Sequence, residues 1–436
     1  MSSIVTLCLS AGIQKTITFD SLKPGAVNRS RSYIYDAAGK AVNSARVLTQ
    51  LMEAEDADSQ RKDSPASQST AADKAASAFK ACASGSACQA ELANKASDAF
   101  KAPAAPDDVT LICPLGKKNA DFFLQLAARD GLNPEAVLIP GYTRECCTLL
   151  DDATGEVTEL VVEEPAPEGD APVSDLLFTL RSVLARASAF SKLEDSGAVA
   201  CKAGIDNQAS AAFKAAGGSA SVSGVDDKAS VSCKTAGALP RTALLFAGSR
   251  PAFWPKDVIM QIALAAKKAG ALFMADFRGD DLLSLLDTPA LTPDIIKINE
   301  AEFRGTFMRG NFADSATGFE KTYSAAATSA GKAAGYAECT DDTDSLAAAI
   351  CEKSRVLGNI IVVTRGADST LAADRGTLYE CASEKVHAVN TIGCGDSFNA
   401  GFLYEYMTGG DVARALEKGT WCAARNAERL SPGKIH

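Results

Sequence analysis

Histidine is almost missing from these 436 residues: only His387 and His436 are present. Ser-His or Cys-His catalysis needs an imidazole to take the nucleophile's proton, so it is hard to assemble here. Carboxylate, lysine or backbone chemistry is what remains. The 13 cysteines include no Cys-x-x-Cys spacing, and neither a zinc cluster nor a redox pair is signalled. Dispersed and odd in number, they predict a reducing, cytoplasmic setting. No lysine-arginine cluster accompanies the net charge of −10, which argues against nucleic acid and membrane as partners. No apolar run approaches the roughly 20 residues that cross a bilayer. The run from Ile4 to Leu9 is too short for a secretion signal and lacks a basic flank. Gly39-Lys40 is not a P-loop, because no glycine precedes it at the required spacing and Ala41 stands where a Ser or Thr would hold Mg²⁺.

What is present centres on NTIGCGDSFNAGFLYEYM, Asn390 to Met407. A β-like run, Glu384 to Val389, meets Gly393, Cys394 and Gly395, then Asp396. From Ser397 onward Phe398, Phe402, Leu403 and Tyr406 recur at helical spacing until Gly409-Gly410. The pattern predicts strand, tight turn and helix. Small residues at such a turn let backbone N–H groups converge, and the helix start adds partial positive charge, so developing negative charge is stabilised there. Asp396, in the first helical turn, stands where a general base is wanted. A plain glycine turn with an N-capping aspartate reads from the same string.

The length suits one large α/β domain or two domains, and a composition of 47% hydrophobic and 22% charged residues is ordinary for a globular protein. Ile4 to Leu9 reads as a buried strand. Thr16 to Asp20 and Ser30 to Tyr35 read as half-exposed strands around Lys23-Pro24-Gly25, and Asp36 to Leu51 as a helix. Val109 to Cys113 is expected as a strand and Asn119 to Arg129 as a helix. Cys146 to Leu150 with Val157 to Val162 makes a hairpin. Ala243 to Phe246, Leu272 to Ala275, Ile295 to Ile298 and Ile360 to Val363 are short apolar runs of the buried parallel kind, with helices such as Lys256 to Lys268 between them. This alternation predicts a doubly wound sheet with ligands at the strands' carboxyl ends. Residues 53–106 and 191–239 differ in being rich in Ala, Ser, Lys and Asp. They carry DKAASAFKA, NKASDAFKA, DNQASAAFKA and DDKASVSCKT, and with the shorter stretch 322–337 they are expected to be insertions outside the core.

Several segments together resemble the ribokinase-like, or PfkB, carbohydrate kinases, and within them the 1-phosphofructokinase and tagatose-6-phosphate kinase branch. NTIGCGDSFNAGFL is similar to the family's C-terminal signature, DAAGKAVNSARVL to its glycine-rich substrate segment and DIIKINEAEF to its Asn-x-x-Glu element. VVTRGADSTL is similar to its nucleotide-binding Thr-x-Gly segment, and GYTRECCTLLD to its substrate-arginine strand. The resemblance implies one kinase domain over residues 1–436, with a small β-sheet lid from strands near 14–36 and 142–163 that also offers a homodimer surface. It implies Asp396 as catalytic base, with Gly393, Cys394 and Gly395 as the anion hole. Gln14, Gly39, Lys40, Asn43 and Arg144 would bind substrate, with Arg144 on its existing phosphate. Thr364 and Gly366 would bind ATP, and Asn299 with Glu302 would organise hydrated Mg²⁺. Lys40 and Arg29 are further candidates for the phosphate, and Lys40 reads equally as a solvated charge.

The departures fall on the sugar side. Gln14 replaces the family's sugar-gripping Asp, and Ser10 its Asn. Ala38-Gly39 replaces a glycine pair, and Ser369 replaces the nucleotide segment's second glycine. Arg250 adds a charge near the expected sugar mouth. The implied activity is phosphorylation of a phosphorylated ketose, fructose 1-phosphate to fructose 1,6-bisphosphate foremost. A non-catalytic sugar- or nucleotide-binding relative and a kinase for an unphosphorylated sugar are the alternatives.

Overall fold

The computed structural model describes residues 3–62, 109–163, 167, 169–195, 239–308 and 345–436. The chain runs β1 (Ser3–Leu7), β2 (Gly12–Phe19), β3 (Ser32–Ala38), α1 (Lys40–Lys62), β4 (Val109–Gly116), α2 (Ala120–Arg129), β5 (Glu135–Ile139), β6 (Arg144–Asp151), β7 (Glu156–Leu160) and α3 (Val173–Asp195). It continues through β8 (Thr242–Ala247), α4 (Val258–Lys268), β9 (Leu272–Asp276), α5 (Asp280–Leu286), β10 (Ile295–Asn299), α6 (Glu300–Phe307), α7 (Ser345–Leu357), β11 (Ile360–Thr364), β12 (Thr370–Asp374), β13 (Thr377–Cys381), α8 (Cys394–Gly409) and α9 (Val412–Ala427).

The apolar runs become a nine-stranded sheet of order β13-β12-β11-β10-β9-β8-β1-β4-β5. It is parallel except for β12 and β13, which join antiparallel at one edge. Strands buried on both faces are apolar throughout, and alternate side chains serve opposite layers. From β1, Ile4 packs with α1, α2, α8 and α9, whereas Val5 and Leu7 pack with α3, α4 and α7. A second, four-stranded sheet of order β3-β2-β6-β7 forms the lid. Gly12 pairs with Ala38 on one side and Arg144 on the other, which brings three distant segments together at the lid's root.

Two boundaries differ from the sequence expectation. Glu384 to Val389 is not a strand: most of it is exposed, and the backbone N–H of Val389 bonds the Ala427 carbonyl at the end of α9 rather than a sheet edge. Asp36 to Ala38 closes β3, and the helix begins only at Lys40, after Gly39 at φ 133°. The repeats placed in residues 53–106, 191–239 and 322–337 lie almost wholly outside the described residues. Cys351, on α7, is disulfide-bonded, so the odd cysteine count does not by itself fix the redox setting. Among the described residues no helix is long and apolar enough to cross a membrane.

Candidate active site

The turn before α8 is built for glycine. Gly393 has φ 81°, and a Cβ there would lie 2.9 Å from Pro432 Cβ; one on Gly395 would lie 2.9 Å from Lys297 Nζ. Asn426 fixes the turn from α9, donating to the Ile392 carbonyl at 2.9 Å and to Cys394 Sγ at 3.4 Å while accepting from Ser397 Oγ at 3.1 Å. Cys394 N–H turns back to the Thr391 carbonyl at 3.3 Å, and Gly395 and Asp396 follow in the first turn of α8, where N–H groups have no intrahelical acceptor. Burial pushes the Cys394 thiol up to about 11, so it stays protonated at neutral pH.

Asp396 is buried where α8 meets α1. Asn43 Nδ2 donates to its Oδ2 at 2.8 Å, and Ser44 Oγ donates to its carbonyl at 2.9 Å. Burial pushes its carboxyl up to about 6; Lys40 opposes this, Asp276 adds to it, and Asn43 and Lys297 oppose it. Carboxylates buried beside a like charge titrate near the pH at which a base works best.

Beside it lies a second carboxylate with the opposite behaviour. Asp276, at the carboxyl end of β9, is fully buried. Its Oδ1 meets Lys40 Nζ at 2.9 Å, its Oδ2 meets Lys297 Nζ at 3.3 Å, and Asn399 Nδ2 donates to the same oxygen. Burial alone would raise its carboxyl, but Lys297 and then Lys40, with hydrogen bonds from Lys40 and Asn399, hold it far below the usual carboxylate range. Burial disfavours the Lys40 ammonium too, yet Asp276, Asp396 and Glu302 together raise it above the ordinary lysine value. Lys40 is therefore an ion-paired residue of the site rather than a solvated surface charge.

Lys297 and Asp276 were missed in sequence because each hides in an apolar strand, Lys297 in the middle of β10 and Asp276 at the end of β9. A lysine inside Ile295 to Ile298 was the available signal, since an unpaired lysine is almost never fully buried. Asn399 and Arg46, both buried, were likewise unflagged.

Asn299 and Glu302 close a capping box at the start of α6: Asn299 N–H donates to Glu302 Oε2 at 3.0 Å and Glu302 N–H to Asn299 Oδ1 at 2.8 Å. Thr364 is the register partner of Asn299 across β10 and β11, which places the nucleotide-type segment beside this cap. Gly366 has φ 65°, and its carbonyl accepts from Ser383 Oγ at 3.3 Å. Ser369 is held by Arg365, which donates to its carbonyl at 2.8 Å and its Oγ at 2.6 Å, and by Glu380.

At the lid root, Gly39 takes φ 133°, which L side chains rarely adopt, and a Cβ there would crowd the Ser10 carbonyl at 3.2 Å. Arg144, half-buried, passes over Gly12, whose missing Cβ would sit 3.3 Å from Arg144 Cγ. Gln14 is buried, and its Nε2 donates to Thr148 Oγ1 at 2.8 Å within the lid sheet. Arg29 is exposed in the loop between β2 and β3. Arg250 does not carry a loose charge to the sugar mouth: its Nε pairs with Asp281 at 3.0 Å and its Nη1 donates to the Trp254 carbonyl at 2.7 Å.

Residues 239–434 match the model of the pfkB family carbohydrate kinases. A stretch of 68 residues is 37% identical to fructoselysine 6-kinase of Escherichia coli, covering 16% of this chain and 26% of that protein. Another comparison is 40% identical over 70 residues to the ATP-dependent ribose-1-phosphate kinase of Halopiger xanaduensis, covering 16% and 24%. The chain thus spans about a quarter of the length of these curated relatives. The fold is that of phosphofructokinase-2 from Escherichia coli in complex with fructose-6-phosphate, at a TM-score of 0.57 and 14% identity over 99% of this chain and 96% of that one. The family match covers the part that carries Asp276, Lys297 and Asp396, so residues 239–434 are similar to the pfkB family carbohydrate kinases, and the two-sheet fold encloses that part.

Proposed function

We propose that the protein is an ATP-dependent kinase that phosphorylates a hydroxyl of a sugar phosphate, with fructose 1-phosphate the leading substrate. The observation that carries this is Asp396: a buried carboxylate raised to about 6, held by Asn43 and set in the first turn of α8 beside the glycine turn. Asp396 takes the acceptor hydroxyl's proton. The hydroxyl oxygen forms the new P–O bond as the bond to the nucleotide's bridging oxygen breaks, and ADP leaves. The N–H groups of the turn and the Lys297 ammonium beside Gly395 face the charge that develops on the phosphoryl group. Thr364 and Gly366 support the nucleotide, and Arg144 with Lys40 supports the substrate's own phosphate.

Mg²⁺ fits this site as a hydrated ion. Among the described residues no three His, Cys, Asp or Glu side chains lie together as a metal cluster, and one oxygen each of Asn299 and Glu302 is already used in the cap. Asn299 and Glu302 would therefore hold the ion through water alongside nucleotide phosphates, where it supplies charge neutralisation. The same proposal takes residues 1–436 as one cytoplasmic kinase domain with insertions. Its lid sheet would pair two copies, a reading supported by exposed Tyr33, Leu160 and Val161.

A coupled ADP-release assay over fructose 1-phosphate, fructose 6-phosphate, tagatose 6-phosphate and free fructose tests this. Turnover of at least one phosphosugar well above free fructose is expected. ADP release no higher than the sugar-free blank with every substrate would make the protein a binding relative, and equal rates with free fructose would remove the phosphate from the proposal.

A further inference from the structure

Arg46 lies on α1, three residues beyond Asn43, and is only 2% exposed. Its guanidinium reaches three other segments as well as its own helix. Nε pairs with Asp130 Oδ2 at 2.9 Å after α2, and Nη2 donates to the Ala37 carbonyl at 2.6 Å on β3. Nη1 donates both to Asn43 Oδ1 at 3.0 Å and to the Pro432 carbonyl at 2.8 Å. Asp130 is shared further with Lys434 at 3.0 Å. A buried guanidinium is costly unless it is paired and hydrogen-bonded, and apolar residues of similar volume serve packing at least as well. Its placement calls for a reason other than stability.

That reason is the Asn43 amide. A guanidinium has no acceptor, so the end of the amide facing Arg46 must be Oδ1, and the NH₂ end is thereby aimed at Asp396 Oδ2, 2.8 Å away. Without Arg46 nothing on that side forbids the flipped amide, which would set a carbonyl oxygen against the carboxylate. The clasp extends to the anion-hole turn. Gly433 N–H donates to Asn426 Oδ1 at 2.6 Å, and Asn426 is the residue that holds Ile392 and Cys394. On its other side Gly433 abuts the clasp, for a Cβ there would lie 2.9 Å from the Asn43 carbonyl oxygen and 3.0 Å from Arg46 Nη1.

The geometry points to Arg46 as a positioning residue that aims and ionises Asp396 through Asn43, with Pro432 and Gly433 locking this clasp to the anion-hole turn through Asn426. The inference rests on Asp396 being the base. The charged groups facing Asp396 are Lys40 from α1, Asp276 from β9 and Lys297 from β10, with Cys394 in its own turn. Lys40, Asp276 and Cys394 all titrate far from the pH 5–8 window.

Arg46→Lys keeps the charge but loses the planar fork, since one ammonium cannot serve Asp130, Pro432 and Asn43 together. The readout is the pH profile of kcat/KM for the sugar phosphate that turns over, with KM for ATP measured in parallel. The acid limb should move up by about one pH unit, roughly tenfold in rate below it, with KM for ATP unchanged. Asn43→Ala should move the limb the same way, and Arg46→Lys should add nothing to it, because the effect passes through that amide. A lower melting temperature with an unmoved acid limb in Arg46→Lys, or full additivity with Asn43→Ala, would overturn the proposal. Should Arg46→Lys fail to fold, Gly433→Ala, which presses on Asn43 from outside, is expected to move the limb upward in part, and an unmoved limb there overturns it equally. Asp396→Asn separates the two ideas: wild-type turnover in it removes the base itself, whereas an inactive Asp396→Asn with an unmoved Arg46→Lys limb removes only the positioning role.

Discussion

At the carboxyl ends of β9 and β10 buried charges answer one another: Asp276 lies between Lys40 and Lys297 and takes a further bond from Asn399. The lid sheet, largely exposed along β7 and half-exposed along β3, buries neutral polar groups on one face, with Gln14, Thr16, Thr18 and Thr148 sharing it. Its buried carboxylates are Asp151, which accepts from the Leu22 and Ala153 N–H groups at the end of β6, and Asp36, paired through Oδ1 to Arg129 at 2.7 Å, while Asp36 Oδ2 and Thr16 Oγ1 are buried with no hydrogen-bond partner. Charges were retained where a phosphoryl group would need them and mutual pairing offsets their desolvation. Hydroxyls and an amide suffice where a sugar would need orientation.

The sharpest way to break this contrast is Asp396→Asn. Turnover should fall by roughly 10²-fold or more with the fold intact. Stability should move the other way. The folded value of about 6 lies above the ordinary aspartate value of 3.8, so the ionised carboxylate costs stability above about pH 6, and that cost vanishes below about pH 4. Asp396→Asn should therefore melt higher at pH 7 to 8, by up to about 3 kcal/mol, and match wild type at pH 4. Equal melting at both pH values would show that Asp396 is not strained by burial. For the wild type, the acid limb of kcat/KM should fall near pH 6.

Asp276→Asn comes next. It leaves the buried Lys297 ammonium without a counter-charge and should cost about 3–5 kcal/mol in urea melts. Because Asp276 helps to raise Asp396, the acid limb should shift downward, opposite to the shift expected for Arg46→Lys. An upward shift would mean that Asp276 acts on Asp396 by geometry rather than charge. Smaller again is Arg144→Ala, which should lower kcat/KM for sugar phosphates about tenfold, since a charge-assisted phosphate contact contributes about 1.5–3 kcal/mol, and leave free fructose unaffected. An equal loss with both substrates would assign Arg144 to the lid's architecture.

The parts that could be read in sequence are those whose physics is local. Gly393 to Asp396 and the helical spacing after it announce a turn and helix, and apolar runs such as Ile360 to Val363 announce buried parallel strands. The strand wrongly expected at Glu384 to Val389 is mostly exposed, and the Val389 N–H is taken by the Ala427 carbonyl at the end of α9, a partner far away in sequence. Asp276 and Lys297 could not be read as a site at all. Lys40 and Asp276 are 236 positions apart and Asn43 and Asp396 353, so no window of sequence contains either pair. Arg46 lies inside the recognised segment DAAGKAVNSARVL, yet its meaning depends on Asp130 and Pro432.

The smallest expected effect concerns Gln14, where the family resemblance leads one to look for an aspartate. Gln14 and Asp36 are direct register partners on the antiparallel β2–β3 pair, so their side chains share one face. An aspartate at 14 would set two buried carboxylates against each other, with Arg129 already shared among Asp36, the Tyr35 carbonyl and Asp130. Neutral glutamine, donating to Thr148, avoids this. Gln14→Asp should cost about 1 kcal/mol at pH 7, since like charges directly opposite destabilise a strand pair. The loss should fade toward pH 4, because one carboxyl of such a pair takes up a proton as its value rises. Adding Asp36→Asn should restore the melt at pH 7 and give position 14 an unopposed carboxylate, with sharper discrimination between fructose and tagatose phosphates. If Gln14→Asp alone melts like wild type at pH 7, Asp36 is not what keeps this position neutral, and the contrast between clustered charges at the phosphoryl end and neutral polar groups around Gln14 loses its physical basis.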